Sequence, residues 1–403
     1  MNSNSQIRID NGVQGNAGAL AGYRVLECAS IVLGPMAGQY LGDMGADVIK
    51  VESPDGDLTR HIGPSRSHLM SALFLACTRN KRSVVLNLKV PPDVETLYRL
   101  VETSDVFLNS TRPSASERIG IDYTSIALHN PNIVYCQVEG FGAGGEYAGR
   151  PAYDDIVQAL SGTAVLQSAV AGEPRYVPSI LADKITGLTA AFAISLALLH
   201  RERTGAGQEI RIPMFETMTG FNLLEHLWGY AFDPPLAPMG YPPVATAARR
   251  PFATLDGYIS LMPYTERHWQ RFYELIGRLD LATDHRYGTF QGRQHNVSLV
   301  WDDLKYQVSL RTTAQWMALL EPEDIPFSRV NTLEDLLTDP HLDSVDFWQY
   351  AEDKLDGTRR MPANPLGLRG TPPSIRLLPP RLGEHTEAIL SELRQTYPLD
   401  PSS

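Results

Sequence analysis

Residues 23–52 read YRVLECASIVLGPMAGQYLGDMGADVIKVE, and this stretch decides the fold. Tyr23–Ala29 has the apolar, β-branched character of a short strand. Ser30–Pro35 then turns into a helix, with proline near its first position, where a missing N–H costs nothing. Gly34, Gly38 and Gly42 recur every four residues and leave one helix face bare for close packing. Gly45 ends the helix, and Ala46–Glu52 is a second strand. Strand, helix and strand in this order predict a βαβ unit and hence a parallel sheet.

An acidic residue closing the second strand suits a dinucleotide site, but the required G-x-G-x-x-G is absent. The spacing is Gly34-x-x-x-Gly38, so a nicotinamide cofactor is not expected. The alternation continues downstream. Helices are predicted at Ser71–Cys77 and Pro92–Thr103, and strands at Val84–Leu88, Asp105–Leu108 and Pro131–Val138. The fold class is therefore α/β, an open Rossmann-like parallel sheet that takes ligands at the carboxyl ends of its strands. Arg60, Lys81, Arg82, Lys89, Arg112 and Arg118 follow or flank those ends. They are either solvated surface charges or a rim that holds phosphates. A glycine-rich loop, Glu139–Gly145, offers backbone N–H groups to an oxyanion or is simply a turn. After it a helix opens on Asp154 and Asp155, charges favoured in a first turn.

From Ile185 to Leu199 the chain carries no charge and apolar side chains fall all round the helical wheel, predicting a helix buried on every side. This run is shorter than the ~20 residues that cross a bilayer. Arg201, Arg203 and Gly205 close it. Asp183 stands at its mouth. That carboxylate is either an N-cap or a nucleophile at the positive end of a dry helix.

A chain of 403 residues has room for a large core and two domains. Its net charge of −11 argues against general binding to nucleic acid or anionic membrane. Three cysteines without C-x-x-C spacing and ten scattered histidines predict a reduced protein without a metal site. Residues 1–18 lack the pattern of a signal peptide and are expected to form a mobile tail, so a cytoplasmic location is expected.

Several motifs together resemble the class III CoA-transferases. They are Leu33-Gly34-Pro35, Ala46–Glu52, Gly56-Asp57, Asn80-Lys81-Arg82-Ser83, Arg150-Pro151-Ala152-Tyr153-Asp154, Ala182-Asp183 and Thr204–Gln208. Ile325-Pro326, Arg329–Thr332 and Pro379–Thr386 complete the set, in order, over residues 19–395. The resemblance is to the formyl-CoA transferase and crotonobetainyl-CoA:carnitine CoA-transferase type. It implies a large domain built from residues 19–225 and 333–403, and a smaller α+β domain over 226–332. It also implies an interlocked homodimer. The proline-rich stretch from Pro234 to Pro243 suits a linker, and Phe252–Leu261 a hairpin. Helices are expected at 266–277, 297–308 and 313–320.

By the same resemblance Asp183 is the catalytic aspartate. Val32, Leu33, Ser53, Leu86, Lys89, Ser110, Arg112 and Arg118 fall near CoA, with Tyr153 and Asp154 beside the thioester. CoA and acyl-CoA are then substrates rather than resident cofactors. Ser53 stands where formyl-CoA transferase has an arginine, and that enzyme's glycine-rich covering loop is missing, which argues against formyl or oxalate specificity. The racemase branch of the fold pairs its aspartate with a histidine thirty residues earlier. Here that position is Tyr153, a weak base at neutral pH. A non-catalytic acyl-CoA-binding protein is the third reading. Tyr241, Arg249 and Arg250 are candidates to meet a second substrate carboxylate.

Overall fold

The computed structural model describes residues 18–247 and 249–396. The expected N-terminal tail lies outside the described residues, apart from Gly18. The order is β1 (Arg24–Cys28), α1 (Leu33–Asp43), β2 (Asp47–Glu52), α2 (Ala72–Cys77), β3 (Lys81–Val85), α3 (Pro91–Glu102), β4 (Val106–Asn109), α4 (Pro113–Ile119), α5 (Tyr123–His129) and β5 (Val134–Glu139). There follow α6 (Asp154–Leu160), α7 (Thr163–Leu166), α8 (Ser168–Ala171), α9 (Leu181–Thr204), β6 (Gln208–Pro213) and α10 (Met214–His226). The six strands form one parallel sheet in the order β3-β2-β1-β4-β5-β6. Strand order reverses between β1 and β4, and in such sheets ligands bind beyond the strand ends at that point.

Both faces of the sheet are covered, so the strands are apolar on both sides. Val25, Val48, Val106 and Val134 face α1 and α9. The intervening Leu26, Ile49, Phe107 and Tyr135 face α3, α5 and a C-terminal helix. The glycine face of α1 lies against β1: a Cβ on Gly38 would collide with the Glu27 carboxylate. Close packing, not a cofactor, accounts for these glycines.

Two expectations are corrected. β3 starts at Lys81, three residues before the predicted Val84, because Lys81 and Ser83 are fully buried in polar contacts rather than solvated. Helix α9 has 24 residues and is not buried on every side. Ala190, Ala191, Ile194, Ala197 and Leu198 pack inward, while Leu188, Phe192, Leu196 and Leu199 form an exposed stripe, with Phe192 65% exposed. By length and composition α9 suffices to cross a membrane, so the argument from its shortness fails. It packs on α1, α6, β5 and β6. Its end is as expected: Gly205 takes φ +77° and returns its N–H to the Arg201 carbonyl.

The chain divides into two compact units. One holds the described residues through Val165, Arg175–Leu224 and the described residues from His341; the other holds Leu166–Pro174 and Glu225–Pro340. The second unit contains the antiparallel strands β7 (Phe252–Ala253), β8 (Tyr258–Leu261) and β9 (Phe327–Arg329). Helices α11 (Glu266–Leu275), α12 (Leu279–Thr283), α13 (Phe290–His295), α14 (Val297–Val308) and α15 (Thr313–Leu320) surround a core centred on Trp269, Phe272 and Trp316. After α16 (Pro340–Ser344), the hairpin β10 (Trp348–Asp353) and β11 (Gly357–Pro362) precedes α17 (Thr386–Thr396). Helix α17 returns to the large sheet, where Ile389 and Leu393 join the core and Glu392 pairs with Arg82 at 2.6 Å.

Candidate active site

Asp183 sits in the first turn of α9, which starts at Leu181 after Ile180, and it does not cap the helix. Its side chain is 8% exposed and makes no hydrogen bond to any described residue. The capping is done from another helix. Asp154, the first residue of α6, accepts the Asp183 backbone N–H on Oδ1 at 3.1 Å. Its Oδ2 accepts from Gln158 Nε2, one turn along, at 2.6 Å. Gln158 is fully buried and also grips the segment before α9, donating to the Val177 and Ser179 carbonyls and accepting the Val177 N–H. Together α6 and its two side chains fix where α9 begins, and so where the Asp183 carboxylate points. Burial, and then the charge of Asp154, push the Asp183 carboxyl up to about 7.

Asp183 opens into a cleft of about 240 Å³ lined by Ser30, Ile31, Leu33, Ser110, Arg112, Glu139, Arg150 and Tyr153 among others. A second cleft of about 380 Å³ shares Ser30 and is lined by Ser53, Leu86, Lys89 and Thr111. The residues singled out from the sequence therefore divide between two neighbouring hollows at the strand ends. Leu33, Ser110, Arg112, Tyr153 and Asp183 line one; Ser53, Leu86 and Lys89 line the other. Val32 is buried at the start of α1 and lines neither. Arg118 is exposed at the end of α4, whose Ile119 lines the second cleft. Asp154 lines neither; both its oxygens are engaged as described. In the glycine-rich loop the Gly142 N–H is held by Glu216 and the Gly145 N–H by the Gly142 carbonyl, so neither is offered to an oxyanion.

The six flanking cations have different fates. Lys81 is fully buried, with Nζ 2.7 Å from Glu27. Beside it Lys50, a β2 residue outside that set of six, bridges Glu27 at 3.1 Å and Asp57 at 2.9 Å. Arg60 forks onto Glu52 through Nε and Nη2, both at 2.7 Å, with Phe74 stacked on its guanidinium. Arg82 is tied to Asp47 and Glu392. Three buried cations thus meet three buried carboxylates beneath the cleft, and Arg60, Lys81 and Arg82 are structural rather than phosphate-binding. Lys89, Arg112 and Arg118 remain exposed. The network also reaches the cleft wall. Asp57 Oδ1 accepts the N–H of Ile31, which lines the cleft with φ +70°, a left-handed conformation costly for a β-branched residue.

The family model described as CoA-transferase family III matches residues 20–386. The chain belongs to CoA-transferase family III. Among curated family III members, it is 32% identical over 395 residues to the probable fatty acyl-CoA transferase Rv3272 of Mycobacterium tuberculosis, covering 92% of this chain and 97% of that one. It is also 32% identical over 398 residues to a succinate–glutarate CoA-transferase of Agrobacterium fabrum, covering 93% and 95%. The solved structure of a CAIB/BAIF family protein from Brucella suis superposes with TM-score 0.82 at 31% identity, over 94% of this chain and 100% of that one. The protein is thus an enzyme of the CoA-transferase class, with CoA thioesters among its substrates.

Within this family III chain some of the site was not singled out from the sequence. Arg150 is one example: it was quoted only as part of a motif, yet it lines the Asp183 cleft. Its place beside the aromatic Tyr147 was the available signal. Gln158 is another, marked only by its i,i+4 spacing from Asp154. Of the residues suggested for a second carboxylate, Tyr241 packs on Trp228 and Arg249 donates to the Pro243 carbonyl. Arg250 lines a separate hollow with Tyr258 and Trp301 in the second unit.

Proposed function

We propose that the protein moves CoA from an acyl-CoA thioester to a carboxylic acid, with Asp183 as covalent nucleophile. The observation that carries this reading is a buried carboxylate free of hydrogen bonds, opening into a cleft that also presents arginine. Desolvation keeps its ionised form high in energy and reactive. A carboxylate oxygen of Asp183 attacks the thioester carbonyl carbon; the C–S bond breaks, giving a mixed anhydride and CoA thiolate. The thiolate attacks the aspartyl carbonyl carbon, the anhydride C–O bond breaks, and the donor acid leaves as its carboxylate. An aspartyl-CoA thioester remains. The acceptor carboxylate attacks it, releasing the thiolate, and the thiolate then takes the acceptor's acyl group from the new anhydride. Thioester energy is conserved, so no nucleotide hydrolysis is needed. The second cleft, with Ser53, Leu86 and Lys89, is the place for the nucleotide end of CoA, and Arg112 and Arg118 its anion partners.

An α-proton exchange mechanism needs a second base facing Asp183. Glu139 is the other carboxylate in the cleft, and both its oxygens are held by Arg211 at 2.8 and 3.0 Å. The exposed stripe on α9 supports a homodimer, in keeping with the interlocked arrangement that the family resemblance implies.

The test is Asp183→Asn. As nucleophile the residue cannot be replaced by an amide, so the freshly purified variant is expected to fold and bind CoA yet lose transfer at least ~10³-fold, about 4 kcal/mol of barrier. Wild-type protein mixed with acyl-CoA and hydroxylamine is expected to carry a hydroxamate on the peptide containing Asp183. Normal turnover by the variant, with no adduct at Asp183, would refute the mechanism.

A further inference from the structure

We infer that Gln137 is a positioning residue for CoA: with Asn109 it clamps the ridge between the two clefts and so holds Arg112 where a CoA thioester spanning both must cross. The inference rests on the transferase reading above for the place of CoA and deepens it. The ridge is the turn from β4 into α4. Ser110 and Arg112 line the Asp183 cleft, while Thr111 between them lines the second one. Ser30, which lines both, donates its N–H to Ser110 Oγ at 3.1 Å and ties the ridge to the end of β1. A surface turn of this kind ordinarily leaves its peptide groups to water. Here they are held from beneath. The Thr111 N–H donates to Asn109 Oδ1 at 2.8 Å. The Thr111 carbonyl accepts from Gln137 Nε2 at 2.9 Å and from Ser116 Oγ at 3.2 Å.

The clamp is built into the sheet. Asn109 ends β4 and stands opposite Gln137 on β5, and both are buried. Asn109 Nδ2 lies 3.1 Å from Gln137 Oε1, 2.9 Å from Ser116 Oγ and 3.0 Å from Tyr135 Oη. The Tyr135 hydroxyl in turn donates to the Ile121 carbonyl at 2.9 Å. Buried amides are costly unless paired, and a fully paired network admits one geometry. What this network fixes is the Thr111 peptide. On the other side of Arg112 comes Pro113, whose ring locks φ at the first residue of α4. The Arg112 carbonyl accepts the N–H groups of Ala115 and Ser116, both at 2.9 Å. The Arg112 backbone is thus held from both directions, while its guanidinium has no ion-pair or hydrogen-bond partner among the described residues. A cation with a fixed root and free donors suits an anionic ligand that crosses the ridge. Gln137 lines neither cleft, so it acts on that ligand only through the turn.

The experiment titrates free CoA calorimetrically into wild-type protein and two variants. Gln137→Met keeps the length of the side chain without its amide, and Ser116→Ala removes the other donor to the Thr111 carbonyl. CoA is expected to bind Gln137→Met at least ~10-fold more weakly and Ser116→Ala at least ~3-fold more weakly, with thermal melting verifying the fold of each. In turnover with butyryl-CoA as donor and propionate as acceptor, the loss is expected in KM for butyryl-CoA, with kcat kept within about threefold. Hydrogen exchange read by mass spectrometry is expected to quicken in the peptide spanning residues 110–119 and not in β1 or β2. Unchanged CoA affinity in folded Gln137→Met overturns the inference. So does a fall in kcat at unchanged CoA affinity, or weaker binding with faster exchange throughout the sheet, which is general loosening. If Gln137→Met does not fold, Ser116→Ala decides by its own threshold. Wild-type protein that binds CoA but transfers nothing and forms no Asp183 hydroxamate refutes the transferase reading, and the CoA affinities still decide Gln137. Wild-type protein that binds no CoA overturns the inference itself.

Discussion

Replacing Asp154 by Asn tests how the proposed nucleophile, Asp183, is held and tuned. Asp154 receives one N–H on each oxygen, from Asp183 and from Gln158. Asn has a single oxygen, so it can accept from only one of them and must turn its own NH₂ towards the other. Gln158 cannot easily flip to help, because its amide is already matched to Val177 and Ser179. Losing a charge-assisted bond in a buried place costs on the order of 1.5–3 kcal/mol. The variant also removes the negative charge that, after burial, raises the Asp183 carboxyl. The rise from 3.8 to about 7 corresponds to roughly 4 kcal/mol stored against ionisation. Burial supplies the larger part, so removing the Asp154 charge is expected to lower the value while leaving it above the ordinary range.

The assay is the pH dependence of kcat/KM for acyl-CoA between pH 5 and 9. Wild-type activity is expected to rise through a limb near pH 7 as Asp183 ionises. In Asp154→Asn the limb moves to lower pH while the plateau falls. Stability carries the same signature with a definite sign. The folded carboxyl holds its proton to higher pH than the unfolded one, so this group makes the fold less stable as pH rises from about 4 to 7. The variant shows a shallower decline over that window. A wild-type limb near pH 4, or a limb that stays at 7 in the variant, would refute the reasoning.

Three further outcomes follow from the surrounding structure. Ile31→Gly relieves the left-handed backbone at φ +70° and is expected to keep or raise the melting temperature while lowering kcat/KM, since the cleft wall loses its fixed shape; a lower melting temperature with unchanged activity would contradict this. Lys50→Met leaves Glu27 and Asp57 without one of their buried counter-charges, and denaturant unfolding is expected to show a loss on the order of 3–5 kcal/mol. Phe192→Asp places a charge in the middle of the exposed α9 stripe; if the proposed dimer uses this face, light scattering is expected to show wild-type dimer and a variant in which it is weakened or abolished, and an unaltered dimer would remove this face from the interface.

Much of the fold was legible because it depends on local pattern. The βαβ opening follows from local pattern and end signals, the helices expected at 297–308 and 313–320 lie where they were placed, and Asp183 stood out as an acid at the mouth of an uncharged run. What escaped the sequence depends on pairing at a distance. Lys50 and Lys81 look like solvated charges until the parallel register sets them beside Glu27, 23 and 54 residues away. Likewise the Asp183 N–H at the start of α9 is received by Asp154, 29 residues earlier, a partner that adjacency in the chain could not show. The outward stripe of α9 was invisible for the opposite reason: both its faces are apolar, and composition cannot say which one meets the sheet.

The return of α17 to the large sheet bears on how the protein is made. Strand β3 is an edge strand, and two of its backbone N–H groups are received by His385 Nδ1 and Thr386 Oγ1, 302 and 301 residues later. During synthesis Asp183 and most of the cleft emerge in the first half of the chain, with that edge unpaired and the core still lacking Ile389 and Leu393. A nascent chain paused before these residues presents an open strand edge beside uncovered apolar surface, the combination that draws other chains into aggregates. Loss of the last helix is therefore felt first as insolubility, before any question of catalysis arises.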